Sequence, residues 1–259
     1  MAWIDTHAHL ADKSLANQLD DVLARAKQAG VSQVICVAVD AKTCTKAIAI
    51  AESNDSVWAS LGIHPNYAHE AAPDDWTKIV ERTIHPRVCA LGETGLDRHW
   101  EDCPFEIQQS NFARHWQLSF ETKLPLIIHM RDCEPEMLEA LGKQTGKGPL
   151  RGVMHSFSGT TETAEKCLEF GLFISFAGML TYKKSEELRK TAKTIPLDRL
   201  LVETDCPYLT PEPHRSRRPN EPSFVVHTAK CLAEAVGVSA KELAEITTEN
   251  AKRLFWRIR

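Results

Sequence analysis

Six residues with metal-binding side chains stand at or just after apolar segments of this 259-residue chain. Two of them belong to the motif DTHAHL, which starts at Asp5. Because His7 and His9 are two residues apart, an extended strand points both imidazoles to the same face. Two imidazoles on one face suit a divalent transition metal. The His-x-His spacing alone also fits two unrelated polar residues at a strand end.

The other four metal-capable residues each accompany a different apolar segment. Glu93 follows Val88–Leu91, His129 stands in LPLIIHMRD, His155 in GVMHSFSG and Asp205 in LLVETDCP. One such histidine is commonly a satisfied polar residue, and one such carboxylate is commonly a helix N-cap. Since the pattern recurs, we predict that all six residues form one metal site, provided that the strand ends meet.

The elements that must position these residues alternate between short apolar segments and longer segments with helical periodicity. The predicted strands are nearly continuous in apolar residues, as expected when both faces are covered; they are Ala2–Asp5, Gln33–Val37, Val57–Leu61, Val88–Leu91, Leu126–Ile128, Gly152–Met154, Leu172–Phe176 and Leu200–Val202. Two last helices are predicted at Ser223–Val236 and Ala240–Leu254. Repeated β–α units favour an α/β fold of the (β/α)8 TIM-barrel type, with one domain over residues 1–259. The carboxyl ends of all strands then share one rim, where active sites form.

Six ligands are more than one tetrahedral ion takes. Four histidines and two carboxylates can instead hold two divalent ions, with a carboxylate between metals that lie about 3.5–4 Å apart. The mixed nitrogen and oxygen set suits Zn, Mn, Fe or Co better than Ca, and Mg is compatible where carboxylates and water dominate. We therefore predict two divalent ions as cofactors, Mg, Mn or Zn, with the identity left open.

Composition narrows the class of protein. The net charge of −4 counts against a protein that wraps duplex DNA, but not against an enzyme whose metals hold phosphates. Eight cysteines without a CxxC pair favour free thiols in a reducing cytosol. The N-terminus lacks a signal-peptide pattern, and no apolar segment is long enough to cross a membrane. These features predict a cytoplasmic enzyme with no membrane association and no obligate protein partner.

Seven motifs, in order, resemble those of the TatD family of metal-dependent deoxyribonucleases, within the amidohydrolase superfamily: DTHAHL, GIHP (62–65), GETGLD (92–97), LPLIIHMRD (124–132), HSFSG (155–159), ETDCPYLTP (203–211) and RRPNEP (217–222). The ending from Asn250 to Phe255 also resembles the family's C-terminal pattern, so the similarity covers nearly the whole chain. The set is specific, whereas the His-x-His pair alone is shared with the wider superfamily. One departure is Ser216, where the family commonly has a glycine after the first arginine of the loop.

The resemblance implies a (β/α)8 barrel that holds a pair of divalent metals. It assigns one metal to His7, His9 and Asp205, and the other to His129 and His155, with Glu93 as the bridge. It also implies exonuclease action on single-stranded DNA, and on RNA in some members. The expected partner is therefore a nucleic acid substrate.

Three carboxylates are the catalytic candidates, namely Asp205, Glu93 and Glu203. Asp205 is expected to accept the proton of the attacking water, because a ligand carboxylate lies beside the nucleophile; alternatively it is a ligand only. Glu203, together with Asp97 and His64, supports the ligands or faces the substrate.

Cationic side chains near the motifs are candidates to bind substrate phosphates. Arginine forks fit phosphate oxygens, whereas a charge cluster in a loop also fits solvated surface. The irregular segment Thr210–Pro222 is predicted to be a long loop after the eighth strand. The candidates, two of which lie in this loop, are Arg131, Lys183, Arg215 and Arg217.

Aromatic residues near the motifs offer a further contact to bases. Tyr67, Phe157 and Tyr182 either stack on bases or pack in the core. The alternative function is that of a metal-dependent amidohydrolase that cleaves a small-molecule amide, lactone or ester. A third class, a catalytically silent binding protein, would show missing ligands, and this sequence retains all six.

Overall fold

A closed parallel sheet forms the centre of the computed structural model, which describes residues 2–258 except positions 147 and 149. The strands are β1 (Trp3–Ala8), β2 (Val31–Val37), β3 (Val57–Leu61), β4 (Val88–Asp97), β5 (Leu126–Arg131), β6 (Gly152–Met154), β7 (Phe173–Phe176) and β8 (Leu200–Val202). Each strand pairs in parallel with the next along the chain. Ala8 forms a parallel bridge with Cys206, so β1 also lies beside the end of β8. The predicted (β/α)8 barrel is confirmed.

Helices follow the strands and cover the outside of the barrel. They are α1 (Lys13–Ala16), α2 (Leu19–Gln28), α3 (Ala41–Ser53), α4 (Asp75–Arg82), α5 (Phe105–Thr122), α6 (Glu134–Thr145), α7 (Thr161–Glu169), α8 (Glu186–Thr194), α9 (Val225–Val236) and α10 (Ala240–Leu254). The predicted bounds of α10 are confirmed, and Ser239 caps this helix by accepting a hydrogen bond from the Glu242 amide. None of the helices that the structure describes is long and apolar enough to cross a membrane.

Apolar residues of the strands pack on both faces of the sheet. Along β5, Ile127 belongs to the cluster inside the barrel, whereas Leu126 and Ile128 pack towards the helices. Phe255 and Ile258 join the inner cluster from the C-terminal segment. That segment lies at the amino ends of the strands, because Arg257 donates to the carbonyl of Val88 at the start of β4. Apolar side chains therefore close this end, and the polar groups collect at the opposite rim.

Three strands extend further than their apolar patterns predict. The expected ends at Asp5, Leu91 and Ile128 become Ala8, Asp97 and Arg131. Several of the added residues are polar, and three of them, His7, Glu93 and His129, face one another at the mouth of the barrel. A strand prediction based on apolar runs therefore stops before the backbone pairing does.

Irregular pairing occurs where β1 and β4 approach the rim. The register of β1 with β2 shifts between Asp5 and Ala8, and that of β4 with β5 shifts between Leu91 and Thr94. Such irregularities bend a strand and redirect its side chains, and they are frequent beside active sites. A side chain at Gly95, which has φ of 150°, would collide with the backbone of β5. The second glycine of GETGLD is thus required by the close approach of two strands.

The segment Thr210–Pro222 is a long loop after β8, as predicted. Hydrogen bonds and a salt bridge hold its C-terminal end in place. Asn220 donates from its amide to the carbonyls of Thr204 at 3.0 Å and Tyr208 at 2.6 Å. Glu221 forms a salt bridge of 2.7 Å with Arg25 of α2. The motif RRPNEP thereby fixes the return of the loop onto the rim.

Candidate metal centre

The structure brings the six residues predicted to bind metal to one pocket at the carboxyl rim. His7 lies at the end of β1, and His9 follows it directly. Their Nε2 atoms are 3.2 Å apart, which confirms that the two imidazoles share a face. Both rings are well shielded from solvent, with side-chain exposures of 0% and 14%.

The first cluster is the group formed by His7, His9, Asp205 and one oxygen of Glu93. The His7 Nε2 atom lies 3.3 Å from Glu93 Oε2 and 3.6 Å from Asp205 Oδ1. The corresponding distances from His9 Nε2 are 3.6 and 3.4 Å. A tetrahedral ion with bonds of 2.0–2.2 Å separates its ligand atoms by about 3.3–3.6 Å. These four side chains therefore fit a single divalent cation.

The second cluster consists of His129, His155 and the other oxygen of Glu93. Glu93 Oε1 lies 2.8 Å from His129 Nδ1 and 2.7 Å from His155 Nε2, and the two nitrogens are 3.4 Å apart. The rings of His7 and His155 stack at 4.0 Å, so the two clusters are adjacent. Glu93 contributes one oxygen to each cluster, which is the arrangement that a carboxylate bridging two metals requires.

Hydrogen bonds from the outer ring nitrogens orient three of these histidines. The acceptors are the Val37 carbonyl for His9 Nδ1 at 3.2 Å, Asp97 for His129 Nε2 at 2.8 Å and Glu203 for His155 Nδ1 at 3.2 Å. A ring nitrogen that donates carries the proton, which leaves the other nitrogen free to bind a metal. The remaining ligand, His7, has an Nδ1 atom without a hydrogen-bond partner among the described residues.

His64 also lies in the pocket, with Nε2 at 3.5 Å from Glu93 Oε1. Its Nδ1 atom accepts a hydrogen bond of 3.1 Å from the Asn66 amide. Burial lowers the pKa of His64, so its ring is neutral and its proton is on Nε2. His64 lies within ligand distance of Glu93 and His129, but the hydrogen bond from Asn66 favours Nε2 as a donor rather than as a ligand atom.

The charge distribution of the pocket suits a cation. Burial works to raise the pKa of Glu93, but the surrounding histidines, His155 foremost, hold it well below its usual value. Burial also opposes ionisation of Asp205, yet the hydrogen bond from His9 and the neighbouring histidines lower its pKa. Both carboxylates are thus ionised, and they attract divalent cations to this buried position.

Backbone conformation places Asp205 at the rim. Its φ is 55°, in the left-handed region that residues other than glycine rarely adopt. The Asp205 amide donates to the His7 carbonyl at 2.9 Å, which joins the chain after β8 to β1. Strained backbone of this kind concentrates at functional sites, where the surrounding structure holds it in place.

Glu203 and Asp97 stand behind the histidines. Glu203 is fully buried and accepts the Ser156 amide at 2.6 Å in addition to His155. Asp97 accepts, in addition to His129, the amide groups of His99 and the Asn66 side chain. Asn66 escaped the sequence analysis, although its position directly after the GIHP motif was a usable signal.

The four predicted phosphate-binding cations lie in different surroundings. Arg131 and Lys183 are exposed. The Arg215 guanidinium lies 3.6 Å from the centroid of the Tyr182 ring, and the Arg217 guanidinium lies 5.3 Å from that of Phe224. Burial raises the pKa of Tyr182, and the neighbouring guanidinium groups of Arg215 and Arg218 oppose this shift.

The three aromatic candidates for base stacking differ in how much of each side chain is exposed to solvent. Phe157 is 2% exposed and packs against Phe176, so of its two predicted alternatives the structure supports packing in the core. Tyr182 is half-buried, and Arg215 occupies one face of its ring. Tyr67 is 44% exposed and lies beside His64.

Comparison with known proteins places these observations in context. The family described as TatD related DNase matches residues 4–256. A Bacillus subtilis (strain 168) protein named "Uncharacterized metal-dependent hydrolase YabD" is 41% identical over 251 residues, covering 97% of this chain and 98% of the relative. A Pectobacterium parmentieri (strain WPP163) protein named 3'-5' ssDNA/RNA exonuclease TatD is 33% identical over 261 residues, covering 97% and 98%.

A solved structure shares the whole architecture. The TatD homolog YJJV from Escherichia coli K12 superposes with a TM-score of 0.91 at 30% identity, covering 98% of this chain and 97% of that chain.

Proposed function

Because the chain belongs to the TatD-related family of metal-dependent hydrolases, we propose that it hydrolyses phosphodiester bonds of single-stranded nucleic acid, using two divalent ions held by the two clusters. The observation that carries this proposal is the position of Glu93. Its two oxygens face different sets of histidines, at 3.3 Å from His7 and at 2.7 Å from His155.

The proposed ligands are the six residues of the two clusters. When bound, two divalent ions lower the pKa of water and neutralise the oxygens of a phosphate. Asp97 and Glu203 keep the outer nitrogens of His129 and His155 protonated and so present the opposite nitrogens to the ions. This supports a positioning role for Glu203, behind the histidine rather than against the substrate.

We assign the proton-accepting step to Asp205. Its carboxylate is ionised and stands in the first cluster, where it would accept the proton of a water bound at that cluster. His64 is placed to donate from Nε2, either to Glu93 or to an oxygen of the substrate. Arg131, Lys183, Arg215 and Arg217 are the proposed phosphate contacts.

The depth of the pocket supports an unpaired substrate. Glu93 is only 3% exposed, and His7 is fully buried. A phosphodiester must enter the mouth of the barrel to reach them, and an unpaired end does so at the least cost. The relative from Pectobacterium parmentieri is named an exonuclease of single-stranded DNA and RNA, which supports the same substrate class.

The experiment begins with metal analysis of the purified protein. The protein is then stripped of metal, reloaded with Mg, Mn or Zn, and given end-labelled single-stranded DNA, RNA and blunt duplex DNA of one sequence. We expect two bound ions per chain, metal-dependent shortening from one end, and faster cleavage of single strands. Turnover of lactones or amides without cleavage of any nucleic acid would overturn the proposal.

A further inference from the structure

Exposed aromatic side chains are concentrated at the rim that carries the metal centre. Within the described part of the chain, the aromatic residues classed as exposed are Tyr67, Trp100, Tyr208 and Trp256, at 44%, 52%, 56% and 52%. The first three follow β3, β4 and β8, at the carboxyl ends of the strands. Trp256 lies at the opposite end, where its indole nitrogen donates to the Lys123 carbonyl before β5. Three exposed rings beside one polar pocket suggest a binding surface rather than scattered apolar exposure.

Trp100 is held next to the second cluster. Its amide donates to Asp97 Oδ1 at 3.2 Å, and the other oxygen of Asp97 accepts from His129. The His99 ring meets the indole edge to face at 5.0 Å, and the Arg131 guanidinium lies 5.9 Å from the centroid of the Trp100 ring. The backbone is thus fixed while about half of the indole faces solvent.

Tyr208 is held next to the first cluster in a similar way. Its amide donates to the Asp205 carbonyl at 2.9 Å, and its own carbonyl accepts from Asn220 at 2.6 Å. The phenol ring contacts His9 edge to face, with the centroids 6.0 Å apart. Its backbone is therefore fixed to a proposed ligand, and its ring projects outwards.

The two rings follow strands that lie on opposite sides of the barrel. β4 and β8 are half a circumference apart in the eight-stranded barrel. A strand of nucleic acid that crosses the mouth with one phosphate at the clusters therefore passes both rings. We propose that Trp100 and Tyr208 stack on the unpaired bases that flank the reacting phosphate.

Stacking fits the electrostatics of this chain. The net charge of −4 provides no general attraction for a polyanion. Base–aromatic contacts bind single strands without sequence preference, because every base has a π-face. Paired bases stay stacked on their neighbours and cannot engage the rings, so this inference, which rests on the proposed function, also accounts for single-strand selectivity.

The test compares eight-nucleotide oligothymidylate with a base-free deoxyribose phosphate oligomer of the same length. Dissociation constants are measured by fluorescence anisotropy with phosphorothioate forms, which resist hydrolysis, and kcat/KM is measured with the natural linkages. We expect the wild type to prefer the oligomer with bases. Trp100→Ala and Tyr208→Ala are each expected to reduce this preference about tenfold.

Trp256→Ala is the matched control, because it removes an equally exposed tryptophan from the opposite end of the barrel. Trp100→Phe and Tyr208→Phe retain a ring and are expected to retain most of the preference. A wild type that binds both oligomers equally, or rim variants that keep the full preference, would overturn the stacking surface. A preference in binding that depends on both rings, without cleavage of either oligomer, would support it and refute the nuclease proposal instead.

Discussion

At the scale of single residues, the proton on each histidine decides which side chains can bind a cation. His129 and His64 both approach Glu93 Oε1, at 2.8 and 3.5 Å. The carboxylate of Asp97 fixes the proton of His129 on the outer nitrogen, whereas the Asn66 amide fixes that of His64 on the inner one. We therefore propose different roles for two rings at one carboxylate, with His129 as a ligand and His64 as a donor.

This difference predicts that two matched variants bind different numbers of ions. His129→Gln is expected to lose the ion of the second cluster, because it removes a ligand. His64→Gln is expected to keep both ions, yet to lower kcat by about 10–100-fold through the lost donor. The number of ions per chain, measured by plasma mass spectrometry beside kcat, distinguishes them. Loss of metal from His64→Gln would show that His64 is a ligand.

Glu93 is expected to be the residue whose loss has the largest effect. Glu93→Gln keeps the shape of the side chain but removes the negative charge shared by the clusters. We expect kcat/KM to fall at least about 1000-fold, equivalent to roughly 4 kcal/mol, together with weaker binding of both ions. Glu139→Gln, on the outer surface of α6, is the control. Near-normal turnover with full metal content would refute the bridge.

At the scale of elements, the arginines of the loop Thr210–Pro222 differ in what their side chains contact. Arg218 donates to the Thr210 hydroxyl at 3.0 Å and to the Arg215 carbonyl at 2.6 Å, so it stabilises the loop itself. Arg215 lies on Tyr182 and keeps its charge exposed. Ser216 is accommodated at the surface between them. The contact with Tyr182 therefore holds Arg215 in place, and its guanidinium stays exposed at the surface of the loop.

We expect Arg215→Ala and Arg217→Ala to raise KM for single-stranded DNA several-fold while the metal content stays unchanged. Each lost phosphate contact should reduce the log–log salt dependence of binding by about 0.7–1. Lys78→Ala removes the same charge from α4, outside the barrel, and is expected to change neither quantity. An unchanged KM and salt slope in both loop variants would identify the loop arginines as solvated surface.

At the scale of the whole molecule, a buried histidine makes the stability of the folded protein depend on pH. His115 of α5 is fully buried, accepts the Ile63 amide at 3.2 Å and donates to the Asn111 carbonyl at 2.7 Å. Burial lowers the pKa of His115 to about 3. The folded protein therefore keeps this ring neutral at a pH where the unfolded chain, with a pKa of about 6.5, binds a proton.

The contribution of His115 to the free energy of unfolding should consequently fall as the pH drops below about 6.5 and continue to fall towards about 3. Burial raises the pKa of Asp5 to about 7, so proton uptake by the folded Asp5 acts in the opposite direction, and the effect of His115 is read from the difference between the wild type and a His115 variant. Between about pH 7.5 and 5, His115 alone contributes a loss of about 2 kcal/mol. In urea unfolding, His115→Gln should lose less stability than the wild type over that range, whereas the surface variant His69→Gln should follow the wild type. Equal losses in wild type and His115→Gln would contradict this assignment.

The sequence by itself determined the barrel and predicted which six residues gather at its carboxyl rim. Strands buried on both faces must be apolar throughout, so β3, β6 and β8 were predicted with their observed bounds. Polar groups directly after such strands meet at one rim because all strands are parallel. The six ligand candidates could therefore be named before any distance was known.

Only the tertiary structure decided the direction, the exposure and the proton position of these side chains. The apolar pattern ends before the pairing does, so the irregular stretches that direct His7 and Glu93 into the mouth were invisible in it. The exposure of Trp100, the burial of Phe157 and the proton position on His64 depend on neighbours that are distant in sequence. Such contacts arise when the barrel closes, so local sequence patterns do not predict them.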